Sequence, residues 1–521
     1  MRPRHPVPAW IIALISIAGV FAAAAADAAA PAPGAPSTDG ESLQLLRQEL
    51  ETERRQLEQQ QRRIETLEAL LEARLAQSEA ARASAGRVAA ADPPQPADRS
   101  VLRASFGAGG YTLESADGAN AIHFRGNISF DGRYYGGSAA AVTADTWLIR
   151  RLRPTLEGRL ADRFDFRFMP DFAQGRTIIQ DAWGDARIRP WLVLQFGKFK
   201  APVGLERLQL EQFARFIEVS LPSDLLPYRD LGLKVGGTLG AGWLTYDVGL
   251  FDGAPDGGST DGNAVADQNS TGKFTWEGRL FSRPFLETGP AWARGLGLGL
   301  AGTYVNVRGV ATPATATSSA VTTSLLASYK TPGQQAMFAY RGDTGGGALN
   351  DATIAAGLQR RLVPQLYYYY RCWSLLGEYV GEDQAVSRGV SPMSARTATL
   401  HSTAWQLQGA WFLTGEDEAY DRAVPSRAFE FGSGGPGAWE LVARYHEIRF
   451  DAGAFSGGAQ SFANPQSAPR AAHAIGTGVN WYLNSALKVQ LDYEVTRFEG
   501  GAPAGNRPDE RALLSQFALT F

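Results

Sequence analysis

Cysteine is nearly absent from this 521-residue chain: Cys372 is the only one. A single thiol excludes an internal disulfide framework and a thiolate-rich metal centre. Lysine is scarce as well. Six of the 50 basic residues are lysine, which leaves 50 − 6 = 44 arginines. The five histidines (His5, His123, His401, His446 and His473) are each isolated in sequence. They give little basis for a transition-metal site or for a Ser/His catalytic set, so neither metal nor cofactor is expected and an enzyme is the remote alternative. Net charge is 50 − 53 = −3, which argues against bulk attraction to nucleic acid. Beyond residue 26 no apolar run approaches the ~18 residues that a spanning helix needs. Any later insertion into a membrane must use strands.

Glycine and aromatic residues are abundant, with 58 Gly and 26 + 17 + 12 = 55 Phe, Tyr and Trp. At the N-terminus, Arg2 and Arg4 precede the apolar run Ala9–Ala26 and a tail of small residues. This pattern predicts a secretory signal peptide over residues 1–28, the alternative being an uncleaved anchor. Residues 29–40 read as a linker. In 41–83, Leu43, Leu50, Leu57, Ile64 and Leu71 recur every seven residues, while Glu53, Gln60 and Arg74 dilute the second apolar column. The spacing predicts a short, weak coiled coil, placed in the periplasm, or else a solitary solvated helix. Residues 84–104 form an Ala/Pro-rich linker.

From about residue 105 the period drops to two. Ile122, Phe124, Gly126, Ile128, Phe130, Gly132 and Tyr134 alternate with His123, Arg125, Asn127, Ser129, Asp131 and Arg133. Comparable alternation runs through 164–169, 273–280, 405–411 and 487–494. Many segments of about ten residues, each with one apolar, aromatic-weighted face and one charged face, predict a transmembrane antiparallel barrel in outer-membrane lipid. Eighteen strands can be placed over residues 105–521, among them 321–330 and 334–341, with short turns on one side and longer loops on the other. Thr414–Pro436 is an unexplained long connection on the short-turn side. Phe199–Asp230, the longest loop, is expected to fold into the bore, the alternative being a position over the rim. The last strand carries Leu513, Phe517, Leu519 and Phe521 on one face; Phe521 looks like a signal to the barrel assembly machinery.

Parity assigns Arg125, Arg133, Arg151, Arg153, Arg159, Arg167, Arg187, Arg279 and Arg444 to the polar face. Arginine on the lipid side would cost roughly 2–4 kcal/mol near the bilayer midplane, so the lumen is the expected place. Arg150 has the wrong parity and is expected at a rim. Lys200, Arg207, Arg215 and Arg229 belong to the long loop or its edges. A row of guanidinium groups can pass small anions, phosphate among them, along bidentate contacts. The bland alternative is that carboxylates on the same faces (Asp131, Glu157, Asp165, Asp181, Asp185 and Glu277) neutralise these cations and leave a weakly selective channel for small polar solutes.

Several segments, in this order, resemble the phosphate-selective porins O and P of Gram-negative outer membranes. They include Trp147–Arg153 (WLIRRLR), Gln180–Trp183 (QDAW), Gly197–Glu206 (GKFKAPVGLE), Arg229–Leu233 (RDLGL), Pro364–Tyr370 (PQLYYYY), Leu413–Glu416 (LTGE), Gly437–Arg444 (GAWELVAR) and Val479–Asn484 (VNWYLN). The resemblance implies a homotrimeric barrel of sixteen strands, which brackets the expectation at 16–18, with lumenal arginines and lysines near a constriction. It also implies anion passage, with phosphate or polyphosphate as candidate solutes. Leu208–Leu221 departs from the family pattern in holding Arg215, two glutamates and no lysine.

Overall fold

The structure is a computed structural model that describes residues 102–521, except 108, 138–143, 176, 254–272, 316, 345–349, 392–393, 422 and 433. The expected signal peptide, linkers and coiled coil up to residue 101 fall outside the described residues. The first strand begins at Leu102, inside the segment expected to be linker, because Leu102–Gly107 pairs with Gly110–Ser115 as a hairpin.

Sixteen antiparallel strands close into a barrel. They are β1 Ala121–Gly136, β2 Thr146–Leu160, β3 Phe164–Asp171, β4 Ile178–Arg189, β5 Leu192–Lys200, β6 Arg229–Leu239, β7 Leu244–Phe251 and β8 Thr275–Ser282. The second half comprises β9 Leu296–Arg308, β10 Thr353–Tyr370, β11 Trp373–Ser391, β12 Ser394–Phe412, β13 Ala438–Arg449, β14 Pro469–Tyr482, β15 Leu487–Ala502 and β16 Glu510–Thr520. Each strand pairs with its sequence neighbours, and β16 pairs with β1 from Arg511↔Gly136 to Thr520↔Asn127. Closure leaves no free edge along the wall, which a membrane-spanning sheet requires.

The period-two sequence dictates the two faces. In β13 buried and exposed residues alternate along nearly the whole strand. Outward-pointing Phe196, Leu233, Trp276, Leu280 and Leu362 are each more than half exposed, a belt suited only to lipid.

The count of eighteen is corrected to sixteen. Segments 321–330 and 334–341 are not wall strands. They supply Val321–Thr323, paired with Val310–Thr312, and a small hairpin of Ser328–Lys330 with Ala336–Ala339, all within the loop between β9 and β10. In the hairpin the alternation reflects burial of Tyr329, Met337 and Phe338 inside the bore, whereas Val321–Thr323 is exposed. Tyr329, Met337 and Phe338 pack with Phe450, Phe455 and Phe462 of the β13–β14 loop, with Leu221, Leu225 and Leu226 of the long β5–β6 loop, and with Val363, Val380, Leu400, Ile448 and Ala474 of the wall. Phe338 stacks on Phe450 at 3.9 Å between ring centroids. This internal apolar core packs against β9–β15.

Candidate functional site

Residues 201–228 between β5 and β6 do fold inward. The loop has little regular structure, so its buried main-chain groups need partners from elsewhere. The wall supplies them. Asn480 Nδ2 donates to Arg215 O at 3.0 Å, Lys488 Nζ to Ala214 O at 2.7 Å and Arg444 Nη1 to Glu218 O at 2.9 Å. Asp492 accepts from the Ile217 N–H at 2.7 Å, His446 Nδ1 from the Leu221 N–H at 2.9 Å and Glu378 from the Leu205 N–H. Every one of these side chains belongs to β11 or β13–β15, so the loop is pinned to one side of the barrel.

Two of its three glutamates reach the opposite side. Glu218 pairs with Arg133 at 2.7 Å and Arg150 at 3.3 Å. Glu211 pairs with Arg153 at 2.7 Å and Arg229 at 3.4 Å. Burial alone would raise the Glu211 carboxyl, but the cations of Arg153, Arg229 and Lys200 outweigh it and hold it well below the usual carboxylate range. Glu218 is lowered for the same reason, by Arg150 and Arg133 against its burial. Arg153 also bonds Asp171 at 2.5 Å, and Arg229 bonds Asp181 at 2.7 Å.

Arg150 is not at a rim. Ser129 faces Arg151 and Phe130 faces Ile149, so Arg150 is the extra residue of a β-bulge. A bulge resets the alternation. It turns both Arg150 and Arg151 inward, and Arg150 is buried against Glu218. A second irregularity, Met169↔Asp181 followed by Pro170↔Ile179, does the same for Gln180 beside Asp181.

The long connection 413–437 on the short-turn side, without an account from sequence, also enters the bore. Tyr420 stacks on Tyr367 at 5.3 Å and its hydroxyl donates to Leu205 O at 2.5 Å. Glu418 meets Arg215, which also holds Glu440 at 2.6 Å. Burial pushes the Glu418 carboxyl up to about 8 although Arg215 lowers it, and Glu440 adds to the rise. The loop from one end of the barrel and the connection from the other therefore meet at Arg215.

The expected site residues divide into two groups. Arg153, Arg207, Arg215, Arg229 and Arg444 point inward but are buried, a correction to their expected place on an open pore surface. Arg207 donates to Ser223 O at 2.7 Å and Arg444 holds Glu494 at 2.5 Å, so both fasten the loop or the wall. Lys200 donates to Gln209 O at 2.5 Å. The second group keeps solvent access. Arg125 pairs with Glu157 at 2.9 Å, Arg167 with Glu157 at 2.6 Å and Arg159 with Asp165 at 3.2 Å, around a cavity of about 470 Å³ that Arg187 and Trp183 also line. Arg133 is mostly covered by Glu218. Arg279 donates to Gln365 at 2.9 Å and lies over the Phe281 ring at 4.3 Å. Arg151 is half-buried and has no hydrogen bond or ion pair with any described residue, although Asp131, Glu211 and Glu218 feel its charge. Sequence reasoning missed Arg150, Glu378, His446 and Glu418 as members of the constriction.

A closed sixteen-strand barrel with an apolar belt and a polar bore narrowed by inward segments defines an outer-membrane channel. The family model for phosphate-selective porin O and P matches residues 122–500, and the chain belongs to that family. Membership places it in the outer membrane as a porin channel rather than an enzyme. The chain is also similar to solved structures at low sequence identity. OmpT of Vibrio cholerae, as a loop L8 deletion mutant, is 9% identical with TM-score 0.44, over 77% of this chain and 100% of that one. The outer-membrane channel DcaP of Acinetobacter baumannii is 9% identical with TM-score 0.45, over 78% and 99%. OprB of Pseudomonas putida is 10% identical with TM-score 0.43, over 78% and 95%. No curated protein matches the sequence.

Proposed function

We propose that the chain forms a water-filled channel through which small anions, phosphate among them, diffuse passively along the β1–β8 side of the bore. The observation that carries this reading is Arg151. The bulge beside it aims its guanidinium inward, and no described carboxylate or carbonyl occupies it. An unoccupied guanidinium amid paired neighbours is a station for a phosphate or carboxylate, and it is weak enough to let the anion leave. Arg125, Arg159 and Arg167 continue the cationic side of the route toward the short-turn end. A weakly selective channel is the competing reading, favoured by the carboxylates Glu157 and Asp165 that neutralise those three arginines. The functional unit in this reading is a homotrimer, with Phe521 engaged by the assembly machinery.

Planar-bilayer recordings decide between the two. A reversal potential on the anion side and block of chloride current by phosphate are expected; a reversal potential near zero with no block would leave the weakly selective channel.

A further inference from the structure

His446 is fully buried on the lumenal face of β13 and bonds the inward loop at Leu221. Its Nδ1 accepts from the Leu221 N–H at 2.9 Å, so that nitrogen carries no proton. The ring proton then sits on Nε2 and points at Glu494 Oε2, 3.4 Å away. A neutral ring is therefore a condition of the bond to the loop.

The charges around the ring are of both signs, the Arg444 cation opposing an added proton and the two carboxylates favouring one. Arg444 faces the ring from its own strand, Glu494 from β15 and Glu206 from the loop. Arg444 holds Glu494 at 2.5 Å and Glu206 at 3.5 Å. With a neutral imidazole these groups sum to +1 − 2 = −1, and one added proton would balance them. The only vacant nitrogen is Nδ1. A proton there would face the Leu221 N–H with another N–H, and both donors cannot share the space. Proton uptake and the loop's attachment exclude each other.

Leu221 begins the short turn Leu221–Leu225, whose leucines seat the loop in the internal apolar core. The wall strands β11–β13 and the hairpin around Tyr329 pack against this turn. We propose that His446 is a positioning residue of the constriction: its protonation detaches the Leu221 end of the loop and narrows the route, giving a channel that closes down in acid. This rests on the channel reading above.

The test uses full-length protein in planar bilayers, with single-channel conductance followed from neutral pH to about pH 4.5, across the ordinary imidazole range. The wild type should lose conductance reversibly as the medium is acidified. In His446→Gln the amide oxygen can accept from the Leu221 N–H and cannot gain a proton, so conductance should stay at the neutral-pH value throughout. In His446→Ala the reduced conductance should already be present at neutral pH. Glu211 and Glu218 are held below the usual carboxylate range. An acid response in His446→Gln equal to that of the wild type, or a wild type with a flat profile, overturns the proposal while leaving the channel intact. If His446→Ala does not assemble, the wild type and His446→Gln decide it alone. A wild type that forms no channel at any pH overturns the channel reading instead.

Discussion

Arg151 and Arg153 lie two positions apart on one face of β2, yet their surroundings assign them opposite roles. Arg153 is sealed between Asp171 and Glu211. Removing one partner of such a buried set leaves uncompensated charge and costs about 3–5 kcal/mol. Arg153→Ala is therefore expected to lower the denaturant midpoint of the folded barrel markedly. Arg151 bonds no described residue, so Arg151→Ala should leave that midpoint nearly unchanged, within about 0.5 kcal/mol, while moving the reversal potential away from anions. A stability loss in Arg151→Ala comparable to that of Arg153→Ala would show that the guanidinium is structural. Parity puts Arg125, Arg133, Arg151, Arg153, Arg159 and Arg167 on the polar face of their strands, because a strand has one period. Arg150 was not legible. A bulge depends on how the partner strand pairs, and nothing within Trp147–Arg153 reports that pairing.

At the scale of elements, the junction of the loop with connection 413–437 has its own pH signature. Two carboxyls share the single guanidinium of Arg215. Glu440 also accepts from Asn480 at 2.8 Å and Tyr482 at 2.9 Å, whereas Glu418 has Arg215 alone among charged donors in the described residues. Burial then holds a proton on Glu418 up to about 8, against an ordinary value of 4.5. Between those two values the folded state binds a proton that the unfolded state has released, so stability falls as pH rises from 4.5 to about 8 and is level beyond. Glu418→Gln should flatten this part of the stability–pH curve, read as the urea midpoint at a series of pH values. A slope unchanged in the variant would assign it to other groups. The wall strands were legible because their alternation meets two solvents. Segments 328–330 and 334–341 misled because the internal core buries Tyr329, Met337 and Phe338 of a loop hairpin, and connection 413–437 was opaque because an irregular segment has no period to read.

For the whole molecule, the decisive event is closure of β16 on β1, and the last residue closes it. Phe521 exchanges two main-chain hydrogen bonds with Gly126, the Gly126 N–H to Phe521 O at 2.7 Å and the Phe521 N–H to Gly126 O at 3.0 Å. The aromatic ring of Phe521 lies over Gly126, where a Cβ would stand 2.4 Å from the ring's Cζ. Beyond this point β1 continues for five residues, and the hairpin 102–115 covers that overhang through Tyr111↔Phe124 and Glu114↔Ala121. The glycine thus sits where the C-terminal strand ends and the hairpin begins, and it is bare so that the terminal ring can lie flat across the seam. Gly126→Val would push the ring aside without removing either main-chain bond. The yield of heat-modifiable, detergent-resistant barrel should fall, while molecules that do close should conduct as the wild type does, since the displaced ring is on the lipid side and the constriction lies further along the bore. Normal yield in Gly126→Val would mean that the strand register alone drives closure and that the ring adds nothing to it.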